Sequence, residues 1–105
     1  MNSRAKGARG EREAAEALKA LGYEARRGQQ FAGGTDSPDV ISNFPCHLEV
    51  KRVERLNLWK AYQQALEDAG AAGRPPSVLH RASRQPWLIT LSLEDFHSLL
   101  SKQTK

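Results

Sequence analysis

The sequence predicts an α/β domain whose elements follow one another in the order α-β-β-β-α-β-β-α. Three observations carry that prediction. Residues 7–21 have helical periodicity, residues 46–52 alternate side chains with a period of two, and residues 56–69 return to the helical period before a connector of Gly, Ala and Pro. A chain of 105 residues and 11.7 kDa is expected to be one domain, 1–105. Such a domain buries roughly 65% of its unfolded surface and needs no staples.

The first helix is built on Ala14, Leu18 and Leu21, at i, i+4 and i+7, with Ala15 beside them. Gly22 follows as its C-terminal cap, and residues 1–5 precede it as a flexible arm. A strand of charged and polar residues is expected over 23–30, followed by a small-residue loop at 32–37. Asp36 in that loop either organises a turn or joins a metal shell through water. Residues 39–41 and 47–51 are two further strands, joined by Ser42-Asn43-Phe44-Pro45, whose composition is that of a turn.

The second helix, 56–69, turns Leu58, Tyr62, Ala65, Leu66 and Ala69 toward the sheet, with Trp59 flanking that stripe and Gly70 ending it. Asn57, Lys60, Gln64 and Asp68 fall on the opposite, solvated side. After the connector at 70–76, residues 77–80 and 87–91 form a strand pair. Arg81, Ser83 and Arg84 occupy its turn, where they either contact phosphates or protect a sheet edge. Ser92 caps a last helix that has Phe96, Leu99 and Leu100 on its apolar side, and 101–105 is expected to be a flexible tail.

Chemistry concentrates in the middle of the chain. Pro38-Asp39 is followed, after nine residues, by Glu49-Val50-Lys51. A strand over 46–52 places His47, Glu49 and Lys51 on one face and Leu48 and Val50 on the other. The intervening turn then brings Asp39 beside Glu49, and the two acids share one cation. A phosphodiester is anionic and resists attack by water; Mg²⁺ held by carboxylates neutralises it, supplies hydroxide and stabilises the leaving oxygen. Lys51 favours the negative charge that develops during attack. The alternative reading makes Asp39 the start of a strand and Glu49 with Lys51 a solvated pair.

Glu11 adds a third carboxylate. It lies seven residues before Leu18, two turns away on nearly the same azimuth, so it points along an apolar seam. A carboxylate there should find a partner or protonate. Alternatively it faces the positive end of the helix dipole and stays wet.

In order and spacing, Lys6-Gly7 with Glu11-Arg12-Glu13, then Pro38-Asp39, then Glu49-Val50-Lys51, resemble archaeal-type Holliday junction resolvases and their phage relatives in the PD-(D/E)XK nuclease superfamily. The resemblance covers 6–69. Residues 33–39, and Leu56-Asn57-Leu58-Trp59 with Gln64-Ala65, are similar to small phage and prophage members. It implies a restriction-endonuclease-like fold, a central mixed sheet flanked by helices with the acids at its opened edge. It implies a DNA endonuclease with Glu11, Asp39, Glu49 and Lys51 in its active site. Asp39 and Glu49 would hold Mg²⁺, or Mn²⁺ in its place, with the Val50 carbonyl; Glu11 would hold a second ion or orient water. The implied substrate is branched DNA and the implied working form a homodimer, because a four-way junction needs two symmetric cuts.

The formal net charge is +4. Arg4, Lys6, Arg9 and Arg12, then Arg26, Arg27, Lys51, Arg52 and Arg55, crowd the same region, a basic rim suited to branched or duplex DNA. Arg4, Lys6, Arg9, Arg12, Arg27 and Arg52 are the expected DNA contacts, with Gln64 added by the resemblance. The single cysteine, Cys46, makes an intramolecular disulfide impossible and a Cys-based zinc site unexpected. His47, His80 and His97 lack zinc-motif spacing. No small-molecule cofactor, membrane span or signal peptide is expected, which predicts a cytoplasmic protein. Three other readings are a nuclease-fold DNA-binding subunit without cleavage, a nickase or repair nuclease acting on other DNA, and a small subunit whose exposed helix docks on another protein.

Overall fold

Helix α1 (Ser3–Ala20) opens the chain, and it starts earlier than the sequence predicts, so the last residues of the expected arm, 3–5, are helical. Arg4, Ala5 and Lys6 are good helix formers with no breaker among them. In this computed structural model the described residues are 3–28, 39–70 and 73–103, with side chains described over 7–28, 39–70 and 73–102. The loop expected over 32–37, Asp36 and the end of the strand expected over 23–30 lie outside them. Gly22 closes α1 with φ of 101°. The N–H groups of Gly22 and Tyr23 donate to the Lys19 and Leu18 carbonyls at 2.9 and 3.1 Å. That left-handed cap is the one Gly adopts without a Cβ penalty. Leu21, expected on the apolar stripe, falls in the cap turn and is exposed.

Strand β1 (Ala25–Arg27) pairs antiparallel with β2 (Val40–Ser42). Strand β3 (His47–Arg52) pairs instead with β4 (Pro76–Arg81), in parallel, and β4 pairs antiparallel with β5 (Leu88–Thr90). The order of elements, with α2 (Leu58–Ala69) and α3 (Leu93–Gln103), is α-β-β-β-α-β-β-α around a mixed sheet. The backbone pairing falls into two parts, β1-β2 and β3-β4-β5. The turn at 42–45 therefore does not make a β2–β3 hairpin.

Period-two alternation along β3 divides the core. Leu48 and Val50 join Leu79, Val40 and Cys46 under Ala14, Ala15 and Leu18 of α1. The opposite face carries Val78, paired with Glu49 in the register, under Ala61 and Ala65 of α2. Burying Leu48 and Val78 contributes about 1.5–3 kcal/mol each.

Helix α2 starts at Leu58, because Asn57 is its N-cap and accepts the Lys60 N–H at 3.1 Å. Its buried stripe is Ala61, Ala65 and Ala69, with Leu58 and Tyr62 partly covered. Leu66 and Trp59, placed in or beside the stripe by the sequence, are exposed. Small side chains let the helix backbone approach the sheet closely, and the bulky residues are rotated outward. In α3, Ser92 accepts the Asp95 N–H at 3.1 Å, as the capping pattern predicts. The helix continues through Gln103, so residues 101–103 of the expected tail are helical.

Candidate active site

Asp39 stands just before β2, and its Oδ2 accepts the backbone N–H of Val50 at 2.9 Å. Val50 lies inside β3, whose other edge is occupied by β4. A side chain thus takes the place of a backbone carbonyl between β2 and β3, and the sheet opens there. The N–H and C=O of a strand residue point to the same edge, so the Val50 carbonyl also faces this opening.

Glu49 projects from the α2 side of β3 and is only 5% exposed. Lys51 follows on the same face, its Nζ 3.6 Å from Glu49 Oε2. Its side chain is 38% exposed, so the ammonium reaches both the buried acid and solvent. Burial pushes the Glu49 carboxyl up to about 8, and the Asp39 charge adds to the rise while Lys51 opposes it. Burial likewise pushes Asp39 up to about 6; the Val50 N–H opposes this, Glu11 adds to it and Lys51 opposes it. Two like charges that burial penalises share one small volume.

A fourth acid belongs to this group. Asp68, expected on the solvated side of α2, is half-buried and acts on Glu49 both as a charge and as a hydrogen-bond partner. Gln64 Nε2 donates to Asp68 Oδ1 and Oδ2 at 3.2 and 3.1 Å, fixing it from one turn earlier. The sequence holds a signal for it: Asp68 flanks the stripe Ala61, Ala65 and Ala69 once alanines are taken as the packing face. His47 shares this face and is buried. Its Nε2 has no hydrogen-bond partner among the described residues, and burial lowers its tendency to take up a proton.

Glu11 reaches the opening from the α1 side. It is 8% exposed, and Arg27 Nε on β1 donates to its Oε1 at 2.8 Å. The buried-seam reading of the sequence is the one the structure displays, with Arg27 as the partner. Asp39 lies between the two sides, since Glu11 and Lys51 both act on it. Asp39, Glu49 and Lys51 are brought together, while Glu11 is beside Asp39 and engaged elsewhere. Among the described residues no three His, Cys, Asp or Glu side chains are grouped to hold a metal ion.

The expected DNA contacts divide. Arg9, Arg12 and Gln64 are exposed, and Arg27 is partly committed to Glu11. Arg52 is half-buried, with Nε 3.2 Å from Glu13 Oε1 and Nη1 3.3 Å from Glu54 Oε2, which ties α1 to the end of β3. The side chains of Arg4 and Lys6 lie outside the described residues. Arg81, expected in the turn, is the last residue of β4 and stacks at 5.7 Å over the Trp87 ring. None of the described helices is long and apolar enough to cross a membrane.

No protein-family model and no curated protein matches the sequence. Among solved structures, the chain is similar to Archaeoglobus fulgidus Hjc, a Holliday junction resolvase from an archaeal hyperthermophile. The TM-score is 0.60 at 25% identity, over 82% of this chain and 72% of that one. The order of elements and the mixed sheet flanked by helices match a restriction-endonuclease-like fold. With that fold and that structural relative, the chain belongs to the PD-(D/E)XK-like nuclease superfamily.

Proposed function

We propose that the chain is a single-domain, Mg²⁺-dependent endonuclease that hydrolyses phosphodiester bonds in branched DNA. The observation that carries this reading is the meeting of half-buried Asp39 and buried Glu49 with the Lys51 ammonium, 3.6 Å from Glu49, at an opened sheet edge. A protein that only binds DNA gains nothing from desolvating two acids beside each other. The donor set fits a hard divalent cation: carboxylate oxygens, whose mutual repulsion a cation would relieve. Asp39 and Glu49 would hold it with the Val50 carbonyl, Glu11 would complete or support the set, and Mn²⁺ would substitute. When bound, such an ion neutralises the phosphate and lowers the pKa of water.

The protein's own groups do the rest. Lys51 stabilises the charge that develops on the attacked phosphate, and the hydrogen bond from Val50 keeps Asp39 fixed at the opening. Arg4, Lys6, Arg9, Arg12 and Arg27 supply the field that draws the DNA backbone in, and Gln64 lies on the exposed side of α2 near the acids. Arg52 has a smaller part in binding, because Glu13 and Glu54 already engage it.

Each chain offers one such site, so a monomer nicks and a two-fold dimer cuts a four-way junction symmetrically. Leu93, Phe96 and Leu100 of α3 are exposed apolar residues that support pairing of two copies. The test is a nicking assay on four-way junction, flap and linear duplex, with Mg²⁺ or with chelator. Preferential cutting of the junction with Mg²⁺ is expected. Binding without cutting under Mg²⁺ and Mn²⁺ would favour a non-catalytic DNA-binding subunit.

A further inference from the structure

We propose that Arg27 is a latch on Glu11: its guanidinium holds the Glu11 carboxylate until a DNA phosphate takes the guanidinium and frees Glu11 to turn toward Asp39. The inference rests on the reading of DNA as the partner and concerns how the site is completed. Glu11 is 8% exposed, and a buried carboxylate needs a counter-charge. Arg27 Nε supplies it at 2.8 Å. The Arg27 side chain itself is 42% exposed and lies on the short strand β1 next to exposed Arg26, within reach of a polyanion outside the protein. A planar guanidinium fork matches phosphate as well as it matches carboxylate, so the two anions compete for one cation.

Asp39, Glu49 and Asp68 act on one another, yet among the described residues no three His, Cys, Asp or Glu side chains are grouped to hold a metal ion. Glu11 is the nearest candidate from the α1 side, close enough for its charge to act on Asp39. In the structure its Oε1 is instead tied to Arg27. Exchange of that tie for a phosphate couples the two ligands, DNA and divalent cation, each tightening the other by the same factor.

The first test is a double-mutant cycle on DNA affinity, measured in chelator with a short duplex. Glu11→Gln releases Arg27 without changing side-chain volume and is expected to tighten binding by about fivefold. In an Arg27→Met background, which keeps most of the stem, Glu11→Gln is expected to change nothing. Glu16→Gln, at an exposed acid of the same helix, controls for the change in net charge. An equal effect of Glu11→Gln in both backgrounds would overturn the latch. A parent chain that binds no DNA would overturn the reading beneath it and the latch together.

A second measurement needs no Arg27 variant. Mn²⁺ affinity is titrated calorimetrically in a Lys51→Ala background, where cutting is expected to be lost and intact duplex is verified on a gel, with and without saturating duplex. Tightening by about fivefold on DNA addition, lost in Glu11→Gln, is the expected result. Tightening that survives Glu11→Gln, or none at all, would contradict the latch even if the enzyme cuts DNA.

Discussion

The Asp39 carboxylate, through Oδ2, occupies the hydrogen-bonding position on Val50 that a neighbouring strand would otherwise fill. One side chain therefore both splits the sheet and faces the opening it makes. Asp39→Ala leaves the Val50 N–H without this acceptor and is expected to cost about 1–3 kcal/mol in urea unfolding. Asp39→Asn retains a carbonyl acceptor and should lose less. Equal losses in both variants would mean that the hydrogen bond contributes little to the fold.

Stability of the metal-free protein should fall as pH rises from about 6.5 to about 8. Glu49 is raised from 4.5 to about 8, so the folded state holds a proton that the unfolded state has already released. Its contribution is fully present below the unfolded pKa and is lost as pH rises through 8, at up to about 1.4 kcal/mol per pH unit. Asp39, raised to about 6, adds the same downward slope at lower pH. His47 and His80 are lowered by burial and oppose that slope below about 6.5, which is why the upper window is diagnostic. Glu49→Gln should flatten the curve between pH 6.5 and 8, and added Mn²⁺ should restore stability to the parent at pH 8. Thermal melts across this range check both.

At Gly10, α1 lies close against β3. A Cβ on Gly10 would meet the Arg52 Cβ at 2.8 Å, closer than real contacts allow. Gly10→Ala is expected to destabilise by about 1–3 kcal/mol, seen as a Tm lower by at least about 4 °C. An unchanged Tm would place the helix farther from the strand.

Much of this was legible in the chain. The alternation of 46–52 fixes which face Glu49 and Lys51 share, and Gly22 and Ser92 carry cap chemistry that depends only on near neighbours, whereas Asn57, read as part of the second helix, proves to be its N-cap. Pairing was not legible, because nothing in 39–51 states that Asp39 will use its side chain against β3 while β3 turns to β4. Asp68 was hidden for a related reason. The stripe read as Leu58, Tyr62, Ala65, Leu66 and Ala69 is centred on the large residues, whereas the buried face is Ala61, Ala65 and Ala69, and that rotation brings Asp68 to Glu49. Arg52 was read by its charge alone, whereas its partners Glu13 and Glu54 depend on tertiary packing.

The central claim is that Lys51 acts with Asp39 and Glu49 on a phosphodiester, and one comparison tests it most directly. Lys51→Ala is assayed beside the parent for both DNA affinity and Mg²⁺-dependent nicking of a four-way junction. The expected result is an affinity within about threefold of the parent and a nicking rate lower by about 10²-fold or more. Equal nicking by the two proteins would remove Lys51 from the chemistry, and a loss of affinity matching the loss of cutting would make it a phosphate contact instead.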